Sequence, residues 1–203
     1  MLTLRCSLLL PAFALAMQAC SLGEGEGEVS SDWLTVANCW SGPFQLNPDF
    51  FAAVPYRRTL SIRVQRGGDT EEVSDGIVVL VDDIDKVRQS LDQPLRVALP
   101  PSIVPPGQPI VPDPNPAIIH LTLYLQRSCH AQNSVLYAID GQMTFHDIFN
   151  GDPTETNASE MLTDAEFPDV IVADPREPQP VTSHIRGRFK FYFQRGQPAQ
   201  PFP

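Results

Sequence analysis

The chain has 203 residues and carries 14 Lys and Arg against 24 Asp and Glu, a formal net charge of −10. So acidic a surface repels phosphates and anionic lipid headgroups, and no basic patch offsets it, which excludes nucleic acid as a partner. Twenty-one prolines and few lysines argue against a helical protein, and the length suits one domain with a real core better than two.

The first nineteen residues form a unit of their own. Arg5 precedes the apolar run Leu8-Leu9-Leu10-Pro11-Ala12-Phe13-Ala14-Leu15-Ala16, and Met17-Gln18-Ala19-Cys20 follows. Charged, apolar and small residues in that order make a secretory signal peptide, too short for a permanent membrane span. Ala19-Cys20 resembles the lipobox of the bacterial lipoprotein class, in which a small residue precedes a cysteine whose sulfur takes a diacylglycerol before cleavage. Met17 and Gln18 depart from that pattern, which usually has Leu at the first of these positions and a small residue at the second. Ordinary cleavage after Ala16 or Ala19 would instead release a secreted protein. The resemblance implies lipidation at Cys20, palmitate-type acyl chains and anchoring in the cell envelope. Ser21, where Asp commonly marks inner-membrane retention, points to the periplasm-facing or outer surface of the outer membrane.

Lipidation would also settle the cysteines. Of Cys6, Cys20, Cys39 and Cys129, the first leaves with the signal and the second takes lipid. Two remain, and an oxidising compartment pairs them as a Cys39–Cys129 disulfide. Removal of residues 1–19 takes away Arg5, so 14 basic residues become 13 against 24 acidic ones, a net of −11. Leu22-Gly23-Glu24-Gly25-Glu26-Gly27-Glu28 alternates glycine with acid and reads as a flexible tether, so residues 20–31 are expected to hold the domain off the lipid surface.

Strand signals dominate from there. Trp33–Trp40 is aromatic and β-branched and is expected to end in a turn at Ser41-Gly42-Pro43. Phe44, Leu46, Phe50 and Phe51 surround a further turn at Asn47-Pro48-Asp49. Thr59–Gln65 alternates with period two, Leu60, Ile62 and Val64 on one face. Gly76–Val81 is apolar on both faces. Asp82-Asp83 then opens a short helix in which Ile84, Val87 and Leu91 share a side. Leu95–Leu99 resumes as a strand, and eight prolines within Pro100–Pro116 predict an extended crossover.

Ile118–Gln126 predicts the cleanest strand, with Ile119, Leu121, Leu123 and Leu125 inward and His120, Thr122, Tyr124 and Gln126 outward. Val135–Ile139 and Gln142–Phe145 read either as a hairpin about Asp140-Gly141 or as one strand kinked at Gly141. Asn150–Thr163 is a polar loop. Val170–Ala173 is a short strand stopped at Asp174-Pro175-Arg176. In Ser183–Gln194, Ile185, Phe189, Phe191 and Phe193 face in, while Arg186, Arg188, Lys190 and Tyr192 face out. The predicted fold is all-β, an antiparallel β-sandwich of about eight strands with one short helix over residues 32–196, and 197–203 is a proline-rich tail.

Chemistry is sparse. Asp82, Asp83 and Asp85 at a strand end could supply oxygens to calcium, with Asp152, Asp169 and Asp174 as further loop acids; the same first three could simply cap the helix. His120, His130, His146 and His184 have no metal-ligand spacing. No nucleophile elbow is present, and Glu166 with Asp169 is the only hydrolytic pair worth naming. Tyr124 and Tyr192 are outward aromatics on which a sugar ring could stack. The expected function is therefore non-enzymatic: an envelope lipoprotein that binds the membrane through its lipid and presents a binding or structural module to a protein or glycan. A calcium-dependent carbohydrate-binding module and a secreted hydrolase are the alternatives.

Overall fold

The computed structural model describes residues 25–67, 73–104, 107, 113–130, 134–149 and 162–192. Cys20, the polar loop at 150–161, Asp152 and the tail at 197–203 lie outside the described residues. The strands are β1 (Gly25–Val36), β2 (Trp40–Leu46), β3 (Phe50–Tyr56), β4 (Thr59–Gln65), β5 (Asp75–Val81), β6 (Pro94–Arg96), β7 (Ile119–Leu125), β8 (Val135–Asp147), β9 (Leu162–Ala173) and β10 (Ser183–Tyr192). One helix, α1 (Ile84–Arg88), sits between β5 and β6. The fold is all-β and antiparallel, as the alternation predicts, but it is a single continuous sheet in the order β2-β1-β10-β9-β8-β7-β5-β4-β3, with β6 added against β8. The rings of Phe51 on edge strand β3 and Phe191 on β10 stack with centroids 5.7 Å apart. Strands so far apart in the hydrogen-bonded order can meet only if the sheet curls over on itself, which gives a sandwich- or barrel-like body. One apolar cluster fills it, drawing on Leu60, Ile62, Ile77, Val79, Leu121, Leu123, Phe145, Phe167 and Phe189.

Residues 25–31 are not a tether. They are the first half of β1, paired with β10 from Gly25 opposite Phe191 to Ser30 opposite Arg186. The glycine–acid alternation is a strand alternation. A Cβ at Gly25 would lie 2.7 Å from Phe191 Cβ and from the Phe51 ring, and one at Gly27 would lie 3.2 Å from Phe189 Cβ and from Phe51. The two glycines therefore leave room for three phenylalanines, and Glu26 and Glu28 take the outer face. What is missing from one strand is supplied by large side chains from two others.

Other differences have equally local causes. The β1–β2 reversal is at Ala37-Asn38-Cys39, where Asn38 has φ 57° and the Cys39 N–H donates to Val36 O. Asn tolerates that left-handed backbone. Ser41-Gly42-Pro43 is strand, and Pro43 is accommodated because β2 is an edge of the sheet. Pro55 sits likewise on β3, the other edge and a strand the sequence reading did not assign. β8 is one long strand, with Gly141 at φ 133° and a register shift between Ala138 and Asp140. β9 begins eight residues before the predicted Val170: Thr163, Ala165 and Phe167 are buried and Asp164 and Glu166 lie outside them. His120 and Tyr124 are not outward but buried. His120 Nδ1 lies 2.8 Å from Ala98 O on the segment after β6, and the Tyr124 hydroxyl donates to Gln65 and accepts from Arg63.

The Cys39–Cys129 disulfide closes 90 residues and joins the β1–β2 turn to the turn after β7. The buried Asp75 carboxylate organises that second turn by accepting the N–H groups of Arg127 and Ser128 at 3.0 Å each. Two outcomes follow. Replacing Gly25 and Gly27 with valine, harmless in a tether, lowers stability by about 1–3 kcal/mol because the phenylalanines cannot give way, measured by denaturant melting. Cys39→Ala with Cys129→Ala costs about 2–5 kcal/mol in the same assay, and wild-type protein under reductant shows the same loss.

Candidate functional site

The outer face of β1, β10 and β9 carries almost all of its chemistry on one plan. β10 presents a row of basic groups, His184, Arg186, Arg188 and Lys190, between acids on both neighbours. Arg186 forks onto Asp32 at 2.6 and 3.1 Å, Arg188 meets Glu28 at 3.1 Å, Lys190 meets Asp164 at 3.0 Å, and His184 Nδ1 lies 2.8 Å from Asp169. The Arg186 fork holds the Asp32 carboxyl below its usual range, and Asp164 raises the Lys190 ammonium. Exposed pairs of this kind add little to the stability of the fold, so their effect is on where the side chains sit.

At the β10 C-terminal end, this face opens into a groove of about 410 Å³ beside His146. His146 Nδ1 lies 2.6 Å from Asp92, and Nε2 is 3.8 Å from Glu166. The hydrogen bond to Asp92 raises the His146 pKa above its ordinary value against the opposing effect of burial, with the charges of Asp164 and Glu166 adding to the rise.

The other end has a more deliberate shape. From Ser31 to Leu34, β1 advances three residues while β2 advances two, from Phe44 to Gly42. From Phe167 to Val170, β9 also advances three residues against two on β10, Gly187 to Ile185. Each strand therefore has a bulge, and the two bulges flank the same stretch of β10. A bulge keeps two successive side chains on one face. Asp32 and Trp33 both point outward on one side, and Pro168 and Asp169 on the other, while Leu34 returns to the core. Gly141 on β8 lies under the second bulge; a Cβ there would come within 2.8 Å of Val170 Cα and 2.9 Å of Asp169 O. Between the bulges is a groove of about 440 Å³ floored by Ser183, His184 and Ile185, beside which Trp33 is 62% exposed.

The acids singled out from sequence are employed otherwise. Asp83 caps α1, accepting the Lys86 N–H and pairing with Arg58 at 2.9 Å; Asp85 also meets Arg58, at 3.3 Å, and Asp82 faces His120 at 3.2 Å. The Asp83 carboxyl is held low: burial would raise it, but the Lys86 N–H and Arg58 outweigh that. Asp83 and Asp85 thus serve the helix start and Arg58 while Asp82 faces His120 of β7, and no group of three or more metal-ligating side chains occurs among the described residues. Glu166 and Asp169 serve different histidines, on either side of Pro168. Asp174 is paired with Arg176, and His130 is an exposed turn residue. Of the two tyrosines offered as stacking surfaces, Tyr124 is buried and Tyr192 is exposed. Trp33 was missed because strict alternation places it on the inner face with Ser31. A signal was present, since an Asp-Trp pair between Ser31 and Leu34 breaks the alternation. Comparison with protein-family models, curated proteins and solved structures finds no match.

His146 supplies a titration to check. Its folded-state pKa is raised, so its small stabilising contribution is complete below the unfolded value and disappears as pH rises through the folded one. An NMR titration places the His146 midpoint above about 6.5, and Asp92→Asn brings it down.

Proposed function

We propose that this protein is a lipid-anchored domain of the bacterial cell envelope that works by binding rather than by catalysis, using the groove between the two bulges. The observation that carries the reading is the exposure of Trp33: a large aromatic side chain is turned out of the sheet by a bulge, next to polar groups already oriented by ion pairs. Folding gains nothing from leaving an indole in water, whereas recognition surfaces use aromatic side chains of this kind. The groups along the groove, Asp32, Arg186, Asp169 and His184, are held in mutual pairs, which places hydrogen-bonding atoms beside the indole.

The anchoring half of the reading rests on Ala19-Cys20 and on the signal-like residues before it. With β1 beginning at Gly25, four residues separate the lipid-bearing cysteine from the sheet. At full extension that connection reaches about 17 Å, so the domain rides close to the bilayer. An outer-membrane address and acylation with palmitate-type chains complete the proposal.

In cells supplied with radiolabelled palmitate, the wild-type protein takes up label and fractionates with the outer membrane, and Cys20→Ser does neither. An intact mass with an unmodified sulfur at Cys20 would overturn the anchor.

A further inference from the structure

We infer that the groove between the bulges takes a neutral sugar ring, with the Trp33 indole as its stacking face and the two flanking ion pairs as its hydrogen-bonding rim. The inference deepens the binding reading of the same groove and rests on it.

The chemistry of the walls selects the ligand. An indole face is electron-rich and apolar and attracts the weakly positive C–H groups on the flat side of a pyranose. Around it, Asp32–Arg186 and Asp169–His184 are planar groups locked against each other at 2.6–3.1 Å and 2.8 Å. Each pair has further acceptor and donor capacity beyond its own bond: the carboxylates retain lone pairs, Arg186 has five N–H donors in all, and the imidazole has a second nitrogen. A sugar hydroxyl both donates and accepts, so acceptors and donors at fixed, adjacent positions suit it.

Charge excludes the competitors. Arg186 offsets the charge of Asp32 and His184 holds Asp169 by a hydrogen bond, so the groove has no excess of positive charge to draw an anion. A polyanion would meet Asp32 and Asp169 on a chain of net charge −10, and an organic cation stacked on Trp33 would meet Arg186. A purely apolar ligand would cover polar groups whose remaining hydrogen-bonding capacity it cannot satisfy. The volume of about 440 Å³ lies within the usual range for small-ligand clefts, about 300–1,000 Å³. No metal enters the scheme, because the groove's own acids are engaged by Arg186 and His184.

The test uses the full-length lipoprotein in a sugar-free zwitterionic detergent, titrated with cellohexaose, maltohexaose and chitohexaose while tryptophan emission is recorded. At least one oligosaccharide produces a saturable change that is indifferent to millimolar calcium or chelator. Trp33→Ala weakens binding at least tenfold, Trp33→Phe retains part of it, and Arg186→Gln, which leaves the indole in place, weakens it severalfold. Equal binding by Trp33→Ala and wild type, or no response to any of the three sugars at millimolar concentration, would sink the sugar assignment. A photo-crosslinker at position 182, on the groove's edge with Trp33 kept in place, separates that failure from a wider one when introduced in cells. A specific protein adduct without sugar binding overturns the ligand class and leaves the binding domain standing, whereas neither adduct nor sugar binding removes both.

Discussion

Closure of the sheet depends on a contact between absence and bulk. Gly25 and Gly27 present bare backbone on the inner face of β1, and Phe51, Phe189 and Phe191 fill that space from β3 and β10. Because β3 is one edge of the hydrogen-bonded order and β10 is near the other, this cluster holds the curl. Curling turns a nine-strand path into a body with one apolar interior and leaves the outer faces of β1, β10 and β9 free for charge. It also brings the β1–β2 turn to the turn after β7, where the disulfide joins them and Asp75 shapes the second.

The same strand, β10, mediates between interior and exterior. Its inward residues Ile185, Phe189 and Phe191 pack in the core, and its outward residues supply the basic row that acids on both neighbours embrace. Gly187 interrupts the inward set because the Phe167 ring and Glu28 O occupy the place of its side chain; a Cβ there would lie 2.6 Å from each. The bulge in β9 lies one step along, between Phe167 and Val170. The geometry of the groove is thus tied to core packing, and the ion pairs orient what the bulges expose. In the binding reading, rigidity of this kind is an advantage, since pre-positioned groups lose little entropy when a ligand arrives.

Alternation was legible wherever one face was plainly apolar. Thr59–Gln65 was read with the bounds β4 has, and α1 begins behind Asp83 as its capping pattern implies. The signal failed where an inward residue was small: Gly25 and Gly27 read as linker, and Thr163 and Ala165 read as loop or went unassigned. In each case the volume is supplied by another strand, and no local window contains it. Proline misled at Ser41-Gly42-Pro43, because an edge strand tolerates proline and edge position is a property of the assembled sheet. Tyr124 and His120 were placed outside because period two assigns a face but does not say what will later cover it.

Local pattern carried the all-β antiparallel class, the short capped helix and the inward Ile185, Phe189 and Phe191 of β10 (Phe193 lies outside the described residues). The pairing of Cys39 with Cys129 followed by counting once the lipobox resemblance set Cys20 aside. The assembled fold decided that the sandwich- or barrel-like body is one sheet curled on itself, that the acid–glycine run is strand from Gly25 on, and that Asp83 and Asp85 serve the helix start and Arg58 while Asp82 faces His120. It alone brought Trp33, Arg186, His184 and Asp169 around one groove. The reason is physical: a bulge is defined by the residue count on the opposing strand, and an ion pair between positions 32 and 186, 154 apart in sequence, exists only after the chain between them has folded.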